Sequence, residues 1–475
     1  MQLMFESRMD IGKLEGKLRW VQQKAKVREQ PVLLPSNAGD GAGASIYGSV
    51  LHDGGKYRMW YQGWPHDWTG LNSSIVCYAE SDDGIEWTKP NLKLDDRFAG
   101  EHNVTDLGMH APSVFIDPDA PASHRYRATG HGCVGNSGSR QDIEGSGYFT
   151  LHSADGLHWE LDTKTPTWPN GDVITSMYHP VQKRGMVALK QNVRSNGIKR
   201  RALAHAYLEG GRYTNWQWSI LPDQFDDLTA MTRGFVSADY YGMAMQHAEE
   251  ATIGFIWQFR HAQPRTRSDY GDGPGVFGVV DISLAYQHDA RSLWMRPRGQ
   301  VDFINNMDIP WRPHSCVYTA SSPVTVGDED RLYLSASFAH GWYIDPRWHL
   351  IEDAKAKLMD RGICQIGYAS WPRHRLFGYR AEPTGSIDLN LGKHDKPIKL
   401  SLNVEPHNAE GSATVAIEGQ SRHTHAMCKP INDNGIQTDV QWQDGTVIQP
   451  NPDGIIVANI ALNEATLWAW KIVPA

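Results

Sequence analysis

Cys77-Tyr78-Ala79-Glu80-Ser81-Asp82-Asp83-Gly84-Ile85-Glu86-Trp87 and Tyr148-Phe149-Thr150-Leu151-His152-Ser153-Ala154-Asp155-Gly156-Leu157-His158-Trp159 are two copies of one phrase. Each is an aromatic and apolar strand, then a Ser/Asp/Gly turn, then a Trp. Fainter copies are His205-Ala206-Tyr207 through Gly210-Gly211 to Trp218, Leu284-Ala285-Tyr286 to Trp294, and Ile366-Gly367-Tyr368-Ala369-Ser370 to Phe377. A phrase returning at such intervals marks a repeat fold. The closing aromatics stand at 87, 159, 218, 294 and 377, which gives spacings of 72, 59, 76 and 83 residues. That is too long for a solenoid and suits four-stranded antiparallel blades with elaborated loops. The expected fold is all-β: a five-bladed β-propeller followed by a small C-terminal β-sandwich.

Further strands fall into place around the phrase. Ser45–Leu51, a His52-Asp53-Gly54-Gly55 turn and Tyr57–Tyr61 make a hairpin in the first blade. Ala111–Ile116 with Tyr126–Ala128, Val173–Tyr178 with Met186–Leu189, Tyr240–Met245 with Ile253–Trp257, and Ser315–Tyr318 with Leu332–Ser335 repeat the plan. After about residue 382 the phrase stops, and half-buried alternation at 398–404, 413–417, 439–442, 455–458 and 467–470 reads as a sandwich. The domains are therefore an N-terminal extension (1–35), a propeller (36–382) and a sandwich (383–475). Charged residues from Lys13 to Arg28, ended by Pro31 and Pro35, read as a helix that packs across the propeller or closes it. A long loop is expected at 262–278 and a helix at 346–361.

Composition narrows the class of partner. The 475 residues are 40% hydrophobic and 21% charged, and the net charge of −8 leaves no basic footprint for nucleic acid. No apolar run is long enough to span a membrane. Acids near the N-terminus (Glu6, Asp10) replace the apolar stretch of a signal peptide, so a cytoplasmic location is expected. Five Cys without a CxxC pattern fit neither a disulfide framework nor a structural zinc site. No HExxH-type spacing occurs among the 21 His, so no metal ligands are assigned and no cofactor is required. A structural ion in the channel, and homo-oligomerisation, stay open.

Polar residues just before or within innermost strands converge on a propeller's channel mouth, however far apart they lie in sequence. Collected blade by blade they are Asp40, His110, Asp172, Asp239, and Asp308 with His314. Several carboxylates at one mouth are what glycosidic cleavage demands: one protonated to assist the leaving group, one ionised as nucleophile or base. Their mutual repulsion and burial split the pKa values. Asp53, Asp82, Asp83, Asp117, Asp119, Asp155 and Asp328 lie in turns, where Asp serves the backbone, and are set aside. Asp172 follows Asn170-Gly171 and reads equally as a turn acid, whereas Asp239 precedes a strand directly. Catalysis is thus assigned to Asp239, Asp172, Asp308 and Asp40. His110, His314, Trp64, Trp68, Tyr241 and Arg312 are assigned to substrate binding, the Trp faces stacking on sugar rings.

Tyr57-Arg58-Met59-Trp60-Tyr61, the Ala79–Trp87 phrase and Ala111-Pro112-Ser113-Val114-Phe115-Ile116-Asp117 resemble five-bladed propeller glycoside hydrolases of the family 43 and family 32 superfamilies. The resemblance covers roughly residues 40–380 and implies glycosidase activity with a C-terminal β-sandwich. It departs where those families carry acids: Ser45-Ile46-Tyr47 stands before the first blade's Tyr-x-x-x-Tyr strand, and Ala111-Pro112 replaces Asp-Pro. The expected activity is exo-acting hydrolysis of small oligosaccharides. Two rivals are a glycoside phosphorylase, with Arg194, Arg233 and Arg312 as phosphate ligands, and a non-catalytic carbohydrate-binding propeller.

Overall fold

The computed structural model describes residues 1–66, 75–169, 171–195, 198–262, 278–289, 293–299, 301–337, 340 and 363–475. Among them β-strands dominate, with a single α-helix at Gln224–Met231. The helix expected at 346–361, Trp68, and most of the 262–278 loop lie outside the described residues.

Before residue 377 the strands form five antiparallel sets, each beginning with a buried inner strand. The inner strands are Gly43–Asp53, His110–Ile116, Ile174–His179, Ser237–Ala248 and Cys316–Thr319. All five copies of the repeated phrase fall on the third strand of a set: Val76–Ser81, Gly147–Ser153, Ile198–Glu209, Gly278–His288 and Cys364–Pro372. The fourth and fifth sets share one sheet through a single parallel pair, Val280 with Cys316.

The phrase repeats because the same hydrogen bonds repeat. Ser81 Oγ accepts from Gly84 N (2.9 Å), and Asp83 Oδ1 accepts from Ile85 N (2.8 Å) and Glu86 N (2.9 Å). Ser153 and Asp155 accept from Gly156, Leu157 and His158 at 2.9, 2.8 and 2.9 Å. Gly84 and Gly156 sit at φ 72° and 81°, where a side chain is disfavoured. Each turn then clasps a neighbouring set through its glycine carbonyl. Gly156 O accepts from Trp60 Nε1 (2.6 Å), and Gly84 O accepts from Tyr333 OH (2.6 Å). Asp83 and Asp155 are turn acids, as expected.

Hydrogen bonds between inner strands close a ring. Val114 N donates to Ser49 Oγ (2.8 Å) and Ser176 N to Ser113 Oγ (2.7 Å). Thr175 donates to the Met243 carbonyl, Met245 N to Ser321 O (2.9 Å), and Ser321 N back to Gly48 O (2.9 Å). At this level the side chains themselves meet: Ser49–Ser321 3.1 Å, Ser113–Ser321 2.6 Å and Ser113–Ser176 2.8 Å between hydroxyl oxygens. All four serines are buried. Small hydroxyl residues fit where five strands converge, and they satisfy one another without water. The channel is therefore plugged at this layer.

Two expectations are corrected. The segment from Lys13 onward is a strand, Ile11–Gln22, paired with Phe377–Lys393 rather than a helix. Leu14, Leu18 and Val21 mimic helical spacing, but Gly12 and Gly16 (φ 76°) oppose a helix, and a free strand edge supplies the competing hydrogen bonds. Downstream, Lys26–Val27 adds a strand to the fifth set, so the N-terminal segment does close the ring. The C-terminal part is one curled sheet of eight strands that recruits Gln2–Leu3 and Ile11–Gln22, rather than a separate sandwich. Its curling follows from Phe377–Lys393, seventeen residues long, which pairs with Ala465–Pro474 near one end and Ile455–Asn463 along the other. The enclosed core holds Ile387, Leu400, Val415, Ile460 and Trp470.

Candidate active site

Next to the buried serines, four inner strands and the segment two residues before the fifth each deliver one polar or aromatic side chain to a common cluster: Tyr47, His110, Tyr241 and Tyr318 from within strands, and Asp172 ahead of Ile174–His179. The Tyr47 ring centroid lies 5.7 Å from His110 and 4.7 Å from Tyr318, and Tyr241 lies 5.8 Å from Tyr318. Trp257 flanks Tyr47 at 5.7 Å and Tyr318 at 5.6 Å, its Nε1 donating to Thr319 Oγ1 (2.9 Å).

The backbone is bent where it presents three of these groups. Register shifts fall between Ser45 and Ser49, between His110 and Ser113, and between Tyr240 and Gly242. Extra residues at those points re-aim Tyr47, His110 and Tyr241, as β-bulges do beside functional sites. Ala111 sits at φ 49°, a left-handed conformation costly for a residue with a Cβ. Its N–H is held by buried Gln62 Oε1 at 3.2 Å. Asp172 is set from the second set: its N–H donates to Tyr148 OH (3.0 Å), which donates to Val173 O (3.2 Å). Gly171 (φ 129°) permits that approach, because a Cβ there would meet the Tyr148 ring at 2.4 Å.

Asp172 is the carboxylate enclosed by this cluster. Lys190, on the neighbouring strand Arg184–Ser195, forms an ion pair with Oδ2. Tyr241 OH donates to the same oxygen at 3.1 Å, and His110 Nε2 faces Oδ1 at 3.4 Å. Burial pushes the carboxyl pKa up, but Lys190 and His110 outweigh it and hold Asp172 well below the usual carboxylate range. Lys190 Nζ also stands over the Tyr241 ring at 4.7 Å, and the Arg201 guanidinium at 5.5 Å. Four neighbouring rings are shifted toward their neutral forms. Burial, then His110, lowers His131 to about 4; burial and Arg201 hold His340 well below its ordinary value. Burial raises the Tyr47 and Tyr318 hydroxyls well above theirs. His340 Nδ1 lies 2.9 Å from Tyr318 OH.

The other assigned residues lie in different surroundings. Asp239 is 1% exposed and one layer back, against Arg200 Nε (3.1 Å), His261 Nε2 (3.2 Å) and Arg201 Nη1 (3.9 Å). Arg201 links it to Tyr241. Asp40 is wholly buried and pins its own loop: it accepts from Ser36 N and Asn37 N (both 3.0 Å) and Tyr61 OH (2.7 Å), and pairs with Lys89. Asp308 is exposed at the end of a single 3₁₀ turn, Asn306–Asp308, and His314 is exposed at φ 60°. Arg312 donates to Ile363 O (2.9 Å), and Trp64 is buried with Ala42, Ile363 and Cys364. The structure thus brings together Asp172, His110 and Tyr241, places Asp239 behind them, and leaves Asp40, Asp308, His314, Arg312 and Trp64 in local roles.

Tyr47, Lys190, Arg201 and Tyr318 escaped the sequence reading. A signal for the first and last exists: Tyr47 stands two residues before Ser49 and Tyr318 three before Ser321, as His110 and Asp172 stand three and four before Ser113 and Ser176.

No family model matches the chain, and no curated protein does. Solved structures match at low identity. One, described as a glycoside hydrolase, is 11% identical with TM-score 0.46 over 73% of this chain and 92% of its own. The exo-β-1,3-galactanase from Phanerochaete chrysosporium, with β-1,3-galactotriose, is 9% identical with TM-score 0.39 over 95% and 100%. The family 32 β-fructofuranosidase from Bombyx mori is 10% identical with TM-score 0.41 over 94% of each chain. The chain is thus similar to propeller glycoside hydrolases at low sequence identity, and no residue role carries over from them.

Proposed function

We propose that this chain is a five-bladed β-propeller glycoside hydrolase that removes terminal sugars from small oligosaccharides. The observation that carries the reading is the cluster itself: Tyr47, His110, Tyr241 and Tyr318, from four different strand sets, gathered around the ionised Asp172 carboxylate of the remaining set. Asp172 acts as the ionised nucleophile or base, oriented by Tyr241 and Lys190. His110 Nε2, 3.4 Å from the same carboxylate, is too close to it to act across the scissile bond and instead holds the carboxylate in place and binds a substrate hydroxyl. Asp239, beside two guanidinium groups, is a positioning residue that acts through Arg201 and Tyr241. Tyr47, Tyr318 and Trp257 form the apolar wall against which a sugar ring stacks.

A second reading rests on a specific observation. Asp40 and Asp308 stand apart from Asp172, and Asp239 is sealed behind it. Carboxylates dispersed in this way favour a carbohydrate-binding propeller without turnover. A labelled oligosaccharide panel separates the two. Terminal sugar release abolished by Asp172→Asn supports the hydrolase; saturable binding without product supports the binder. Release only with inorganic phosphate identifies a phosphorylase.

A further inference from the structure

At the opposite end of the inner strands lies a group of side chains that the candidate active site does not use. His179 closes strand Ile174–His179, His247 lies next to last in Ser237–Ala248, and Asp289 follows Gly278–His288. One ligand atom from each lies within 4.8 Å of the others. His247 Nε2 is 2.9 Å from Asp289 Oδ2 and 3.2 Å from Oδ1; His179 Nε2 is 3.8 Å from Oδ1. The two imidazole centroids are 4.9 Å apart, and Thr252 Oγ1 is 3.3 Å from His179 Nε2. Asp289 is anchored by its N–H to Glu250 O at 2.9 Å.

We propose that His179, His247 and Asp289 bind one divalent transition-metal ion of the zinc type, clasping the third strand set to the fourth. Two imidazoles and one carboxylate suit zinc or cobalt, whereas calcium and magnesium require oxygen ligands in larger number. Zinc bonds of 2.0–2.2 Å place tetrahedral donors roughly 3.4 Å apart. Side-chain shifts of about 1 Å therefore close the cluster on an ion, with the Thr252 hydroxyl or water as fourth ligand. One contact has to give. Gln182 N donates to His179 Nδ1 across 3.3 Å, so the metal-free ring carries its proton on Nε2. Metal binding moves that proton to Nδ1 and opens the turn that holds Gln182, where Val181 is exposed. The ion must thus displace a hydrogen-bonded His–Asp–His arrangement.

The test uses the full chain, stripped with chelator and titrated with Co²⁺ and Zn²⁺. The expected result is one Co²⁺ per chain with visible ligand-field absorption and no thiolate charge-transfer band. Zn²⁺, but not Ca²⁺ or Mg²⁺, raises the melting temperature by several degrees. His247→Ala and Asp289→Asn each weaken binding at least tenfold. Folded wild-type protein that shows no Co²⁺ absorption, or a spectrum with thiolate character, overturns the proposal. So does binding unchanged in both variants. If either variant fails to fold, imidazole ¹⁵N shifts of His179 and His247 in the wild type decide: shifts on Zn²⁺ addition support the site, and their absence refutes it.

Discussion

At the scale of single residues, Asp172 differs from the other candidate acids in being held ionised while part of its surface stays open. Its side chain is 32% exposed, against 0% for Asp40 and 1% for Asp239. Because its folded pKa is depressed, the stability it contributes is present above the ordinary carboxylate pKa of about 3.9 and is lost only as pH falls through the folded value. Lys190→Met removes the strongest stabilising charge, so the carboxyl pKa rises. The acid limb of kcat/KM should then move to higher pH, which a pH–rate profile reads directly. Asp172→Asn should cost at least about 10²-fold in turnover, while Asp40→Asn should reduce thermal stability instead, because four partners lose a charged acceptor. Sequence alone does not separate these acids. Asp172 follows a glycine and reads as a turn acid, yet residues 171–173 form no turn; the missing side chain of Gly171 is what lets Tyr148 hold Asp172 in place. Lys190 and Arg201 were invisible for another reason. They stand on second and third strands, and only the sheet register brings them over Tyr241.

At the scale of elements, the inner strands do two jobs within a few residues. Each presents a functional side chain at a bulge or strand start and then supplies a small residue or a backbone group to the plug. The strain at Ala111 belongs to the first job. Ala111→Gly relieves the left-handed backbone, and we expect unchanged or increased stability, by up to about 1 kcal/mol, in urea unfolding. Gly48 serves the second. A Cβ there would lie 1.9 Å from Trp60 O, so Gly48→Ala should destabilise the first set by about 2 kcal/mol or more and lower soluble yield. The strands themselves were legible, because alternation and turn residues agree along every hairpin. The Ile11–Gln22 strand was not: its apolar spacing fits a helix, and a distant edge at Phe377–Lys393 overrides it.

At the scale of the molecule, the chain is sewn at both ends. Lys26–Val27 adds a strand to the fifth strand set, while Gln2–Leu3 and Ile11–Gln22 join the C-terminal sheet, so strand pairing crosses the expected boundaries near 35 and 382. Arg375 stands at the seam, almost wholly buried. It donates to Asn403 Oδ1 (2.8 Å), Asn434 Oδ1 (2.7 Å) and Val404 O (3.3 Å). Arg375→Ala should leave those acceptors unpaired and lower stability by about 2–4 kcal/mol in a single cooperative transition. Calorimetry showing two separate transitions would contradict that coupling. The repeat made the ring legible from sequence, since one turn chemistry recurs on third strands; the plug and the Asp172 cluster were less so, being made by residues that meet only across sets. The most direct test of the central claim compares wild type with Asp172→Asn on end-labelled oligosaccharides, resolved by chromatography over time. The account predicts stepwise loss of single terminal sugars without added phosphate, abolished in the variant. Equal turnover by both proteins, or binding with no product from either, would contradict it.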